Sequence, residues 1–135
     1  MKLIRITCMV VYTVLIAMFF SCEPEDNESD IEPAARANGR YIHTQTGLII
    51  DMHYDIGLKW GYVEIDEVGT AFPPGAKGFH VVADVKYMGE NLWQGENFMY
   101  VPGRNPEWSS NGFVRIWREK GNGLRIGTQF YDKLE

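Results

Sequence analysis

The feature that most constrains the fold is a nearly regular alternation of apolar and polar residues from Leu48 to Ile56. In an extended strand successive side chains point to opposite faces, so this run places its apolar residues on one side of a sheet. Residues from Phe79 to Tyr87 alternate in a similar way. Downstream of residue 39 no stretch has helical periodicity, and the sequence therefore predicts an all-β domain over residues 40–135.

Turn-forming residues divide this domain into short runs that are typical of antiparallel strands. We predict seven strands, over residues 40–44, 48–56, 58–67, 79–87, 92–101, 113–118 and 124–131. Segments 68–78 and 102–112 are expected to be long loops, because glycine and proline cannot sustain a ladder of hydrogen bonds there. An apparent change of the apolar face between Trp60 and Val63 predicts a bulge at Gly61-Tyr62.

The short connections predict how the strands are arranged. They favour strands that pair in sequence order, which is a single antiparallel meander of about seven strands. Such a sheet hides its edges either by closing into a small, lipocalin-like barrel or by folding into a β-sandwich. Periodicity does not separate the two shapes, although the presence of only two long connections favours the barrel.

The first 22 residues predict where the protein is located. Lys2 and Arg5 precede an apolar run from Met9 to Phe20, which at about 1.5 Å per residue is too short to cross a membrane core of about 30 Å. Its length suits a secretory signal peptide over residues 1–21. Ser21-Cys22 resembles the lipobox of bacterial lipoproteins, in which a small residue precedes the cysteine that is lipidated and becomes the new N-terminus.

This resemblance implies that Cys22 carries acyl chains such as palmitate and that the protein is anchored to the outer membrane. The acidic residues between Glu23 and Glu32 predict a flexible tether over residues 22–39. Acidic residues directly behind a lipidated cysteine also resemble the export signal of some Gram-negative surface lipoproteins. The cell surface and the periplasmic face both remain open, as does a spacer without any address. A plain N-terminal anchor or an uncleaved signal is the alternative to the lipoprotein interpretation.

Charge and cysteine content exclude several function classes. From Pro33 onward the chain has 11 Lys and Arg against 12 Asp and Glu, so no basic face predicts nucleic-acid binding. Cys8 lies in the predicted signal peptide and Cys22 is the predicted lipidation site, so no disulfide is expected. Phosphate-binding loops and nucleophile motifs are absent from the sequence. We therefore predict no cofactor and favour a non-enzymatic function.

One constellation of candidate site residues is polar. Asp51, His53 and Asp55 share one face of a predicted strand, and His80 with Asp84 could lie on a partner strand. Carboxylates and imidazoles at this spacing can bind a divalent metal or act as acid and base. Because any solvent-facing strand alternates polar residues in this way, we predict neither a metal site nor catalytic residues here.

The other constellation is aromatic. Trp108 lies in the second predicted loop beside Arg104, and Phe72 lies in the first. An aromatic side chain on a loop can stack on a sugar ring or anchor a protein partner. Trp108, Phe72 and Arg104 are therefore the predicted ligand-binding residues. The competing interpretation is that Trp108 folds back over the open end of the core.

Together these features predict a membrane-tethered lipoprotein whose β-domain is a non-enzymatic binding module. Its ligand would be a glycan, a small apolar molecule or a partner protein. The alternative is an inhibitor or immunity-type lipoprotein that binds a secreted enzyme. A small hydrolase that uses the Asp51, His53 and Asp55 face is the third class.

Overall fold

A computed structural model describes residues 31–119 and 121–134, and the packed unit within them begins at Glu32. The predicted signal peptide, Cys22 and the acidic residues up to Asp30 lie outside the described residues. The strands are β1 Gly39–His43, β2 Leu48–Asp55, β3 Trp60–Glu67, β4 His80–Gly89, β5 Leu92–Tyr100, β6 Trp108–Arg118, β7 Leu124–Ile126 and β8 Gln129–Lys133. Short 3-10 helices, Pro33–Ala35 and Pro74–Ala76, precede β1 and β4. Over the described ranges, no helix is both long and apolar enough to span a bilayer.

The sheet closes into a barrel. Each strand pairs antiparallel with the next, and β1 also pairs with β8, with Tyr41 opposite Lys133 and Ile42 opposite Asp132. Closure removes the free sheet edges that would otherwise template association with other strands. The predicted all-β antiparallel meander is confirmed, and the barrel is the correct one of the two predicted shapes.

Closure depends on a strand that the sequence interpretation merged with its neighbour. The predicted strand over residues 124–131 is two strands, β7 and β8, joined by a turn at Gly127 and Thr128. Gly127 has a φ of 58°, a left-handed conformation that glycine adopts without steric cost. Because strands of a meander alternate in direction, the first and last can pair antiparallel only when their number is even. The eighth strand therefore permits closure.

Apolar side chains fill the inside of the barrel. The predicted alternation is confirmed for Leu48, Ile50, Met52 and Tyr54, which are all buried. Ile56 was expected on the same face, but β2 ends at Asp55 and Ile56 is exposed in the following turn. The largest fully buried side chains are Trp93, Tyr41, Ile50, Met52, Ile65, Ile116, Leu124, Val63, Val82 and Val85. Within the part of the chain that the structure describes, no polar or charged residue is buried. Eight strands enclose a space just wide enough for side chains, and the interior is accordingly a packed core.

The irregularity predicted beside Gly61 is present, but the extra residue lies in β4. β3 pairs with β2 without interruption around this glycine. Its pairing with β4 is shifted, because Gly61 lies opposite Val85 and Val63 lies opposite Val82. Over this step β4 therefore contains one residue more than β3. Asp84 lies within the bulge and has a φ of 50°.

The prediction of a bulge in β3 follows from placing Trp60 on the core face, and the structure places it on the outer face. Gly61 is the buried residue at this level, where a Cβ atom would collide with the backbone carbonyl oxygen of His53. Trp60 and Tyr62, on either side of it, are half-buried on the outer face. The apparent change of face disappears once the tryptophan is placed outside the barrel.

The segment before β1 closes one end of the barrel. Trp93 donates its indole N–H to the Ala34 carbonyl oxygen at 2.9 Å, and Tyr41 donates its hydroxyl to the Ala37 carbonyl oxygen at 2.8 Å. Both alanines are buried. The Asn38 side chain accepts from the Tyr54 backbone N–H at 2.7 Å and donates to the Tyr54 carbonyl oxygen at 3.0 Å. Residues 33–38, which the sequence interpretation assigned to the tether, are thus part of the packed unit.

The alternating strand directions give the barrel two different rims. The closed rim consists of residues 33–38, the β2–β3 turn at 56–59, the β4–β5 turn at 90–91 and the β6–β7 connection. The open rim consists of the turns at 44–47 and 127–128 and two long loops, 68–79 and 101–107. This arrangement brings both long loops to one end of the molecule.

Candidate functional site

The first long loop is tied to the strands beside it. The Ile65 backbone N–H donates to the Phe79 carbonyl oxygen at 2.9 Å, and the Gly78 N–H donates to the Ile65 carbonyl oxygen at 2.8 Å. The Thr70 N–H donates to the Thr46 carbonyl oxygen in the neighbouring turn at 2.7 Å. These bonds satisfy backbone groups that would otherwise need water, and they place the 68–79 loop against the open rim.

Aromatic rings from both long loops and the adjoining strands meet at this rim. The rim cluster comprises Phe72, Phe79, Phe98, Tyr100 and Trp108. Trp108 stacks on Phe79 with ring centroids 3.9 Å apart and an interplanar angle of 19°. Its centroid also lies 5.3 Å from that of Phe72 and 5.1 Å from that of Tyr100. Such contacts add stability beyond the area that the rings bury.

Trp108 lies in a strand, which corrects the prediction of a loop over residues 102–112. It is the first residue of β6 and pairs with Tyr100 of β5. A cross-strand aromatic pair stabilises a ladder, so the hairpin extends further than its turn residues indicated. Gly112 has a φ of 81° and lies where the pairing of β5 with β6 shifts. The glycine that was interpreted as the end of a loop is part of a bulge inside a strand.

The structure brings together two of the three residues predicted to bind a ligand. Phe72 and Trp108 are in contact, and both are half-buried against the core. The packing of Trp108 is what the competing interpretation expected, although one part of its surface remains accessible. Arg104 is exposed in the adjacent loop, and over the described residues no cation–π contact joins it to the rim cluster.

A charged residue is also joined to the rim cluster. The hydroxyl of Tyr100 hydrogen-bonds to the carboxylate of Glu107, and this bond, followed by burial and by the negative charge of Glu107, raises the pKa of Tyr100 above its ordinary value. The bond connects β5 to the 101–107 loop. The open rim thus presents aromatic rings beside a carboxylate and the exposed guanidinium of Arg104.

The polar constellation lies on the outer wall of the barrel. His53 Nε2 and Asp51 Oδ2 are 3.2 Å apart on β2. The ring of Tyr62 on β3 lies between two imidazoles, with centroids 5.0 Å from His53 and 4.1 Å from His80. The contact with His80 is a parallel stack at 11°. The prediction that His80 and Asp84 lie on a partner strand of β2 is wrong, because β4 pairs with β3 and β3 lies between the two histidine strands. Tyr62 of β3 separates the two imidazoles.

The two remaining carboxylates of this constellation accept hydrogen bonds from neighbouring residues of the barrel. Asp55 accepts a hydrogen bond from the Leu58 backbone N–H at 2.9 Å within the β2–β3 turn. Asp84 accepts from the indole N–H of Trp60 at 2.9 Å. Across residues 31–119 and 121–134, no group of three or more His, Cys, Asp or Glu side chains is arranged to hold a metal ion. The Asp51 and His53 side chains are both partly exposed, so their contact contributes little to stability.

A shallow cleft adjoins this wall near the closed rim. Its volume is about 280 Å³, and its lining includes Trp60, Tyr62, His53, Leu58 and Asn38. This volume is at the lower limit of ligand pockets, which run from about 300 to 1,000 Å³. The cleft is also open to solvent along one side, so it offers little enclosure to a small molecule.

Several residues of the candidate site were missed by sequence reasoning. Phe79, Phe98 and Tyr100 were counted with the core, and Tyr62 was assigned to a bulge. Phe79, Phe98 and Tyr100 lie at or near strand ends next to long loops. Tyr62 lies in β3, between the two strands that carry His53 and His80. For Phe79, Phe98 and Tyr100 the position beside a long loop was the available signal, since strand ends that adjoin long loops are where binding residues concentrate.

Comparison with known proteins identifies no relative. No family model matches the chain, and no curated protein or solved structure matches it.

Proposed function

We propose that this chain is an extracytoplasmic lipoprotein, anchored in the outer membrane through acylated Cys22, whose barrel is a non-enzymatic binding module. Its ligand binds at the open rim, and a glycan is the ligand class that the rim suits best. The Ser21-Cys22 motif behind a short apolar segment and the acidic residues that follow it support the anchor.

The observation that carries the proposal is the convergence of both long loops on one rim, where Phe72 contacts Trp108. Loops that are presented by a rigid scaffold are common locations for binding residues. The packed barrel interior supports an external site, because fully buried Trp93, Tyr41 and Ile50 occupy the space that an internal ligand would need. Binding at the rim needs no change in that core.

The chemistry of the open rim supports a sugar as the ligand. Aromatic rings offer flat apolar faces, while Arg104 and the Glu107 carboxylate lie on the loop beside them. A pyranose ring has an apolar face and a periphery of hydroxyl groups, so it matches a site that combines aromatic and charged groups. Ligand sites in general combine apolar contact with a few polar groups that set orientation.

A glycan array probed with the full-length protein tests the binding function. We expect a restricted set of glycans to bind the unchanged protein and the Trp108→Ala variant to lose that binding. Phe113→Ala is the matched control, because Phe113 is an aromatic residue on the same strand that is 77% exposed and lies outside the rim cluster. Equal binding by the two variants would place the ligand elsewhere.

The anchor has a separate test. Metabolic labelling with a fatty acid should mark the unchanged protein and leave the Cys22→Ala variant unlabelled. Labelling of that variant would contradict acylation at Cys22. Protease treatment of intact cells then distinguishes the cell surface from the periplasmic face, because only a surface-exposed barrel is cleaved without permeabilisation.

A further inference from the structure

Large aliphatic side chains are exposed together at the closed rim. Ile56 is 47% exposed and Leu58 is 73% exposed in the β2–β3 turn, and Met88 near the end of β4 is 56% exposed. Single exposed apolar residues are common on protein surfaces. Several of them at one end of a molecule form a candidate interaction surface.

The turn and the end of β4 are neighbours in the barrel. β3 and β4 pair directly, and the Lys86 ammonium group donates to the Lys59 carbonyl oxygen at 3.5 Å across the rim. Trp60 lies next to this turn and is half-buried on the outer face. An aliphatic turn flanked by tryptophan and lysine has the composition of segments that lie in a membrane interface.

The chain enters the barrel at this same rim. Pro33–Ala35 lies immediately before β1, and the buried Ala34 is held there by the indole of Trp93. Cys22 is ten residues before Glu32, and ten residues span at most about 35 Å when fully extended. An acyl anchor at Cys22 would therefore keep the closed rim within about 35 Å of the bilayer.

We propose that the closed rim docks on the surface of the lipid bilayer, with Ile56, Leu58 and Met88 entering its interfacial region. This inference rests on the proposed acyl anchor at Cys22. Docking directs the open rim, with its rim cluster and both long loops, away from the membrane and toward the ligand. The barrel is then oriented as well as tethered.

A lipid surface suits this rim for two physical reasons. A tether raises the effective concentration of the bilayer at the rim, so a small apolar contact is enough for docking. Lys59 and Lys86 place ammonium groups for lipid phosphates beside the aliphatic turn. Exposed carboxylates of Glu32, Asp55, Asp84 and Glu90 lie at or near the same rim, so the contact depends on the apolar side chains rather than on net charge.

The other exposed large side chains of the barrel do not belong to the closed rim. Phe113 lies within β6, Met99 lies near the open end of β5, and Phe130 lies in β8 near the β7–β8 turn. These residues are spread over different strands. They provide matched controls, because they are equally apolar and exposed but would face away from a bilayer docked at the closed rim.

A fluorescent probe can report which rim touches lipid. In the acylated protein, Leu58→Cys would carry the free thiol for an environment-sensitive fluorophore, and Ala71→Cys would place the same probe on the open-rim loop. The proteins are reconstituted in phosphatidylethanolamine and phosphatidylglycerol vesicles that contain an acyl-chain spin label as quencher. We expect a blue shift and quenching at position 58 and neither change at position 71.

The same side chains should retard movement between membranes. Replacing Ile56, Leu58 and Met88 by serine should speed transfer of the acylated protein between vesicles by about tenfold or more, since burying even one such side chain has about that effect on an equilibrium. The Phe113→Ser and Phe130→Ser double variant is the matched control and should transfer at the unchanged rate. Circular dichroism of each variant checks that the barrel remains folded.

Three outcomes would overturn the docking proposal. If both probes are equally accessible to water in the acylated protein, the closed rim does not contact the bilayer even though the acyl anchor is present. A blue shift at position 58 that depends on protein concentration and needs no vesicles would show that the rim joins two copies of the chain. An unchanged transfer rate in a folded triple-serine variant would show that these residues do not hold the rim at the membrane. Loss of the anchor itself is detected separately by fatty-acid labelling.

Discussion

The two rims of the barrel are stabilised in different ways. At the closed rim, Trp93 and Tyr41 are fully buried and their polar atoms satisfy the carbonyl groups of a docked segment. At the open rim, Trp108 and Phe72 are only half-buried and contact one another through ring faces and edges. Regions with fewer buried contacts open at lower free energy. The closed rim is therefore built for stability, and the open rim retains surface that a ligand can use.

The largest expected effect is at the closed rim. Trp93→Ala should lower the free energy of unfolding by about 3–5 kcal/mol, because it creates a large cavity in the core. It also leaves the Ala34 carbonyl oxygen without its indole donor. Urea denaturation followed by circular dichroism measures the change. Trp93→Phe keeps most of the volume and should lose less, whereas a loss below about 1 kcal/mol for the alanine variant would contradict the closed-rim description.

A smaller and local effect is expected at the open rim. Trp108→Ala should lower the free energy of unfolding by about 1–3 kcal/mol, because the side chain is half-buried and its contacts are confined to the rim cluster. Hydrogen exchange should accelerate first in the 68–79 and 101–107 loops. Phe113→Ala serves as the exposed control and should change stability by less than about 0.5 kcal/mol. A loss as large as that of Trp93→Ala would erase the contrast between the rims.

Alkaline pH should weaken the barrel through Tyr131. Burial raises the pKa of Tyr131 above its ordinary value of 10.0, and this ring contacts His43 beside the open-rim turns, with centroids 5.5 Å apart. The folded state therefore holds the phenolic proton more tightly than the unfolded state does. The resulting stabilisation is complete below about pH 10 and is lost as the pH rises further.

Tyr131→Phe is the variant that isolates this effect. Urea denaturation between pH 8 and pH 11 should show a smaller alkaline loss of stability in the variant than in the unchanged protein. Parallel pH profiles for the two proteins would assign the alkaline loss to other groups, such as Tyr100 with its Glu107 hydrogen bond.

The smallest effect is expected on the wall between the rims. Asp51→Asn removes the charge partner of His53, but both side chains are partly exposed, at 28% and 47%. Exposed ion pairs contribute about 0–1 kcal/mol, so the free energy of unfolding should change by less than about 0.5 kcal/mol. A loss above about 2 kcal/mol would show that this wall is more than a solvated surface.

The fold was predictable where one physical cause dominated. The alternation in β2 follows from burial of a single face, so Leu48, Ile50, Met52 and Tyr54 are inside as predicted. Phe72 and Trp108 were chosen as loop-borne aromatics, and the structure places them in contact. What sequence reasoning could not assign was the inward or outward direction of a large aromatic such as Trp60, because either face of a strand can accommodate it.

Boundaries were less predictable where long-range pairing outweighed local signals. Trp108 pairs with Tyr100 and extends β6 through a segment whose serines, asparagine and glycine read as a loop. Residues from Pro33 to Asn38 read as a linker, yet Trp93 and Tyr41 hold them against the core. The partner of Trp108 lies across a hairpin, and the partners of residues 33–38 include Trp93, which lies far along the chain. Local propensity carries no information about such contacts.

The sequence by itself determined an all-β antiparallel meander with two long loops and a charge-balanced barrel domain. Local alternation and turn chemistry are sufficient for those features, because they depend on each residue and its near neighbours. Only the tertiary structure decided that the meander closes, through pairing of β1 with β8 after a turn at Gly127. Closure depends on the number and direction of the strands. It is closure that gives the barrel two different ends, the closed rim and the open rim at which both long loops meet.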